Sequence, residues 1–289
     1  MIEGRLAVIG LGLIGGSLAR ALRGTAMARE IQAFDPDPAR AAAALALGVV
    51  DRVCESAAEA VRNAAVVVLA VPVLRTADAL AAIRPALAER AVLTDVGSTK
   101  QSVLADVAAG FGRLLPRFVA GHPIAGTEKS GVEASQADLF RGKRVVLTPH
   151  AGQDPQALAQ VHRLWGLTGA RVVEMDAARH DAIFAATSHL PHVLAYAFVA
   201  MLTELDREQD IFSNAGGGFR DFTRIASSSP RMWHDIVRAN RDEVSRLLAR
   251  QIGVLEAVQS EIREGRWGAL EQRFESARQA RERYLGSIE

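Results

Sequence analysis

Apolar residues follow two rhythms along this 289-residue chain. Up to Met175, short continuous apolar runs alternate with stretches whose apolar positions repeat at helical spacing. The runs at 6–9, 31–34, 65–71, 92–96, 118–120, 144–147 and 171–174 predict strands, the last an outer one. Residues 15–23 predict the first helix. The run 65–71 closes at Pro72 and has no polar position, as expected of a strand buried on both faces. Such alternation predicts βαβ units around a mostly parallel sheet, an α/β class. Beyond Met175 the spacing is helical throughout. Residues 181–205 predict a long helix that Pro191 should kink. Residues 235–263 carry Val244, Leu247, Leu248, Ile252, Leu255, Val258 and Ile262 on one face, and Leu270, Phe274, Ala277 and Tyr284 mark a last helix. The glycine- and serine-rich stretch 213–229 is expected to be irregular. Two domains follow, 1–175 and an all-helical 176–289. The apolar stripes of the last helices serve either a monomer core or a second subunit, core packing being the plainer reading.

Composition narrows the classes. With 49% hydrophobic and 23% charged residues, the chain is globular and has a core to bury. A net charge of +1 gives no general attraction to nucleic acid or membrane. No apolar stretch is read as a membrane span. Cys54 stands alone, which excludes an internal disulfide and a zinc–cysteine site. No metal is expected. The first strand follows the N-terminus directly with no leader pattern, so a cytoplasmic protein is expected.

Gly10-Leu11-Gly12-Leu13-Ile14-Gly15 is G-x-G-x-x-G, placed after a strand and at the start of a helix. The first glycine permits the tight turn, the second lets a pyrophosphate approach the backbone, and the third allows close helix–sheet packing. Asp35 closes the second strand, where a carboxylate accepts from a ribose 2′-hydroxyl and repels a 2′-phosphate. NAD is therefore expected over NADP, although Arg40 lies near enough to face a phosphate. Asp35 also reads as a simple turn residue in Asp35-Pro36-Asp37-Pro38. Val71 and Pro72, at the end of the 65–71 run, are counted with the cofactor contacts.

His122 is the leading catalytic candidate. It lies in Gly121-His122-Pro123 after an apolar run, and a histidine there could accept a hydroxyl proton while hydride leaves the same carbon. Ser98 with Gln101 reads as a capping box, and its hydroxyl could also bond substrate or cofactor. His189 and His192 share a helix face, His192 being the one placed to bind a carboxylate or carbonyl. Arg224, after Gly216-Gly217-Gly218 and before Met232-Trp233, suggests an anion pocket.

Taken together, these strings resemble the prephenate/arogenate dehydrogenase family of tyrosine biosynthesis. The matching stretches are 8–17, 95–100, 121–131, 188–192 and 216–233. The resemblance implies an N-terminal Rossmann domain and a helical C-terminal domain that forms a homodimer. It also implies NAD-dependent oxidative decarboxylation of prephenate or arogenate, with prephenate favoured here. In that scheme His122 accepts the hydrogen bond of the ring 4-hydroxyl, Ser98 orients His122 or the hydroxyl, Arg224 holds a substrate carboxylate, and Thr127, His192, Gly217 and Trp233 line the pocket. Glu128, Arg220 and Asp221 match positions of a charged gate between subunits. Neither a preceding mutase-like helical segment nor a following regulatory domain is expected. A β-hydroxyacid dehydrogenase would need a lysine in the helical part, and no lysine follows Lys143. A non-catalytic NAD-binding regulator would not need His122, His192 and Arg224 together.

Overall fold

Eight strands form one sheet in the computed structural model, which describes residues 4–25, 27–126 and 129–286, with the side chains of 207–209 outside that set. The strands are β1 (Arg5–Ile9), β2 (Glu30–Phe34), β3 (Arg52–Val53), β4 (Ala64–Leu69), β5 (Val92–Asp95), β6 (Phe118–Pro123), β7 (Arg144–Thr148) and β8 (Arg171–Glu174). Their order is β3-β2-β1-β4-β5-β6-β7-β8. The chain reverses direction of travel between β1 and β4, the switch point at which open α/β sheets bind ligands. All pairs are parallel except β6–β7.

Helices α1 (Leu13–Leu22), α2 (Pro38–Ala46), α3 (Ala57–Val61), α4 (Thr76–Ile83), α5 (Gln101–Phe111) and α6 (Pro155–Leu167) connect the strands. Two apolar layers cover the sheet. One gathers Leu18, Leu22, Phe140, Val161 and Trp165 against Val8, Val66 and Leu147. The other gathers Leu80, Ile83, Val103 and Val107 against Ile9, Val67 and Phe118. Burial on both faces explains why β4 has no polar position. The strand β6 runs past the end of β5, because β7 pairs with it antiparallel opposite Gly121, His122 and Pro123. His122 thus belongs to the strand, where the apolar run alone had ended it at Ala120.

Beyond β8 come α7 (Ala177–Phe184), α8 (Leu190–Gln209), α9 (Gly217–Thr223), α10 (Pro230–Ala239), α11 (Arg241–Arg263) and α12 (Trp267–Gly286). Three expectations are corrected here. The irregularity expected at Pro191 lies before it, as a π-turn over Ala185–His189. A proline ring clashes with the carbonyl four residues back, and widening the preceding turn removes that clash. The helix expected over 235–263 breaks at Asn240, whose side chain donates to Asp181 O at 2.9 Å. The stretch 213–229 is mostly helical: Gly216 is the N-cap of α9, and a 3-10 turn spans Arg224–Ser227.

The chain divides into two compact units, Met1–Arg241 and Asp242–Glu289. In the second, Glu261 accepts from Arg273 at 3.1 Å across the turn at Gly265. One further expectation changes. Residues Ala177–Asp206 contain a window of mean hydropathy 1.4, long and apolar enough to cross a membrane by length and composition. His180, Asp181, His189 and His192 of that stretch are engaged within the first unit.

Candidate active site

Because β1, β4, β5 and β6 are parallel, their carboxyl ends share one edge of the sheet. The turn after β1 begins at Gly10, with φ +101°. A Cβ at Gly10 would lie 2.4 Å from Ala70 O and 3.3 Å from Val71 N, so only glycine passes so close to the end of β4. At Gly15 a Cβ would lie 2.1 Å from Gly10 O, which seats α1 directly against its own turn. Gly12 differs, since a Cβ there meets nothing within 4 Å. The first turn of α1, with Leu13 and Ile14, has no side-chain cap and no acidic residue. Free amides and an open approach at a helix start suit an anion, so these residues fit a dinucleotide pyrophosphate. Val71 lies beside Gly10, and Pro72 starts the 3-10 turn Val73–Arg75.

Asp35 follows β2 and is buried. Its carboxylate accepts from Leu11 N at 2.7 Å and from Asp37 N at 2.9 Å. Arg40 donates to it at 3.2 Å and also reaches Asp37 at 3.5 Å. The guanidinium is thereby turned onto two carboxylates of this chain.

The loop after β5 corrects the reading of Ser98 as a helix cap. The helix α5 starts at Gln101, with no cap from Ser98. Asp181 of α7 does that work: its oxygens accept from Lys100 N at 2.8 Å and Gln101 N at 2.9 Å. The half-buried Ser98 therefore keeps its hydroxyl out of the helix start. Lys100 is fully buried and donates from Nζ to Asp95 Oδ2 at 2.5 Å and to Gly121 O at 2.6 Å. Asp95 Oδ1 accepts from Gly121 N at 3.0 Å. This pair pins the backbone next to His122. A Cβ at Gly121 would lie 3.1 Å from Asp95 O, so glycine is what allows the strands to close up there.

His122 Nδ1 lies 2.9 Å from His180 Nε2, and His180 Nδ1 lies 2.8 Å from Asp181 Oδ1. The ring of Phe184 packs against both imidazoles, with centroids at 4.9 and 4.5 Å. Burial, then the neighbouring His180, Lys100 and His189, hold His122 well below the ordinary histidine pKa. His180 is also lowered, by burial that outweighs its bond to Asp181. Burial alone would raise Asp181, but bonds from His180, Gln101 and Lys100 outweigh it and keep the carboxyl ionised. His180 and Asp181 went unnoticed in the sequence, because an adjacent His-Asp pair at a helix start carries no spacing signal.

From α8, the ring of His192 stacks on Trp233 of α10, with centroids 3.5 Å apart and planes at 20°. His189 meets the same indole edge-on at 6.1 Å and is pushed by burial down to about 4. The buried Trp233 Nε1 has no hydrogen-bond partner among the described residues. Trp233 also joins the apolar layer that holds Val73 and Val71, which brings this wall to the cofactor edge. Arg224 is close enough to depress His192, after the larger effect of burial. With Gly216, Phe219, Arg220, Thr223 and Ser227 it lines an open depression of about 320 Å³. Gly217 lies next to that lining, in the first turn of α9. Asp221, exposed on α9, is not among the lining residues. Thr127 and Glu128 lie outside the described residues. Among the described residues no cluster suits a metal ion.

The family model described as the nucleotide-binding domain of prephenate dehydrogenase matches residues 18–174, and the one described as its dimerization domain matches 176–276. The cyclohexadienyl dehydrogenase of Zymomonas mobilis is 36% identical, over 96% of this chain and 94% of its own length. The prephenate dehydrogenase of Bacillus subtilis is 41% identical, over 83% of this chain and 65% of its own length. Among solved structures, prephenate dehydrogenase from A. aeolicus in complex with hydroxyphenyl propionate and NAD+ superimposes with a TM-score of 0.90. It is 34% identical, with 97% of this chain and 98% of that one covered.

Proposed function

The chain belongs to the prephenate dehydrogenase family of oxidoreductases, and from that premise we propose that it carries out the NAD-dependent oxidative decarboxylation of prephenate to 4-hydroxyphenylpyruvate in tyrosine biosynthesis. The observation that carries this reading is the neutral imidazole of His122 on the same sheet edge as the Gly10–Gly15 turn. From β1 to β6 is three strand spacings, about 14 Å, a distance that an extended dinucleotide covers. NAD, when bound, supplies the hydride acceptor. Gly10, Gly12, Leu13, Ile14 and Gly15 would hold its pyrophosphate, Asp35 a ribose hydroxyl, and Val71 and Pro72 would flank it. The nucleotide-binding role is assigned to 1–175 and the substrate and dimer role to 176–289.

His122 takes the proton of the ring 4-hydroxyl as the carbonyl develops and returns it to that oxygen when loss of carbon dioxide makes the ring aromatic. The ring carboxylate leaves as carbon dioxide, driven by aromatisation, so the protein's task is alignment and charge stabilisation. Ser98 bonds the same hydroxyl or the cofactor. Arg224 pairs with a substrate carboxylate, while His192, Trp233, Gly217 and Thr127 shape the pocket. Among the described residues, the depression around Arg224 is lined by two guanidiniums and by neutral polar groups. Cationic and neutral donors favour the keto acid prephenate, whereas the ammonium of arogenate would seek an acidic partner. Steady-state kinetics with both substrates and both nicotinamide cofactors test the reading. Prephenate with NAD should give the highest kcat/KM. No turnover with either substrate would leave only a nucleotide-binding protein.

Arg224→Ala should raise the KM for prephenate about 10–100-fold, the equivalent of one lost charge-assisted hydrogen bond. An unchanged KM would remove Arg224 from the anion site. A homodimer through the helical part is also proposed, in a cytoplasmic enzyme. It is supported by the exposed Ile252, Leu255, Ile262, Trp267 and Phe274 of α11 and α12 and by the matched dimerization domain. Sedimentation should give twice the chain mass of 30.9 kDa, and a monomer at micromolar concentration would count against it.

A further inference from the structure

We propose that His180 and Asp181 are positioning residues that hold His122 in the one neutral tautomer able to take the substrate proton at Nε2. The inference rests on the reading of His122 as the base and adds to it the source of its orientation.

Asp181 faces three donors: Lys100 N, Gln101 N and His180 Nδ1. An ionised carboxylate only accepts hydrogen bonds, so His180 carries its proton on Nδ1. A neutral His180 then has its lone pair on Nε2, 2.9 Å from His122 Nδ1. That contact is a hydrogen bond only if His122 Nδ1 bears the proton and donates. His122 Nε2 is left with a lone pair. One carboxylate thus sets two ring tautomers in sequence, and the base nitrogen is the one farthest from His180.

Two features make the setting firm. The Phe184 ring lies against both imidazoles and opposes a flip of either. Asp181 is itself fixed by the start of α5 and cannot swing away without uncapping that helix. When Nε2 takes the hydroxyl proton, the positive charge appears one hydrogen bond from His180 and two from the Asp181 carboxylate. Lys100, already paired with Asp95, and the neutral His189 also face His122. Asp181 is therefore the anion that balances the new charge. A carboxylate–histidine pair of this kind orients the base and stabilises its imidazolium in unrelated enzymes.

Nitrogen-15 spectra of histidine-labelled wild-type protein read the tautomers without turnover. Both His122 and His180 should carry the proton on Nδ1. His122 protonated on Nε2 would overturn the proposal. In kinetics, His180→Ala should lower kcat about 10²–10³-fold, with the KM for prephenate and the Kd for NAD changed no more than about threefold. His180→Gln, which keeps a carbonyl acceptor for His122 Nδ1, should recover at least about tenfold of that loss. A kcat near wild type in His180→Ala, no recovery with glutamine, or KM and Kd rising as far as kcat falls would each overturn it. An inactive wild-type protein would instead sink the functional reading, while the spectra still decide the tautomer.

Discussion

Asparagine in place of His122 is expected to lower kcat about 10²–10⁴-fold, the usual value of a positioned general base, and to leave the Kd for NAD within about twofold. Asparagine keeps a hydrogen-bonding group of similar reach but cannot take up a proton near neutral pH. The backbone at this position is held from outside the side chain, by Lys100 on Gly121 O and by the pairing of His122 with Val146, so the strand should persist in the variant. The cofactor turn lies at the far end of the same edge, which is why binding should be spared. The pH profile adds a sign. On the proposed role the active form is the neutral ring, and burial holds its pKa well below 6.5. Activity governed by His122 should therefore stay level as pH falls through 6.5 and drop only at more acid values. An acid limb centred at or above 6.5, or equal losses in kcat and cofactor affinity, would contradict its role.

A matched pair of glycine variants should separate turn from ligand. Gly15→Ala forces a Cβ to within 2.1 Å of Gly10 O and 2.9 Å of Ala70 Cβ. Neither neighbour is the tip of a flexible side chain, so backbone must move, at a cost on the order of 3 kcal/mol. Both thermal stability and NAD affinity should fall. Gly12→Ala adds the same methyl group where nothing lies within 4 Å. Its melting temperature without cofactor should match wild type, while the Kd for NAD rises about 10-fold or more, since 1.4 kcal/mol of lost contact suffices for that. Titration calorimetry beside a thermal melt checks both. Unchanged NAD affinity in Gly12→Ala would mean that the open space at Gly12 is not where the pyrophosphate lies.

Short-range patterns served well where the chemistry is local. The G-x-G-x-x-G string, the strand runs and Gly-His-Pro depend on neighbours a few positions apart: the runs form the sheet, and the two motifs lie at the carboxyl ends of its strands. Local reasoning misled where a distant group intervenes. Ser98 and Gln101 have the spacing of a capping box, yet Asp181, 80 positions from Gln101, supplies the cap. His122 and His180 are 58 positions apart, and only the packing of α7 against β7 and α5 brings them together. The glycines before Arg224 read as breakers, but Gly216 begins a helix. Pro191 was expected to bend its helix in place, and the chain relieved the clash one turn earlier.

The position of Asp181 has a consequence for recombining relatives. The nucleotide-binding match ends at residue 174 and the next begins at 176, a natural seam for making hybrids. A hybrid cut there would take its base from one parent and that base's counter-charge from the other, along with the stopper for α5. Such hybrids should bind nucleotide yet turn over poorly unless both parents carry the His-Asp pair in register, so a productive crossover belongs after Asp181.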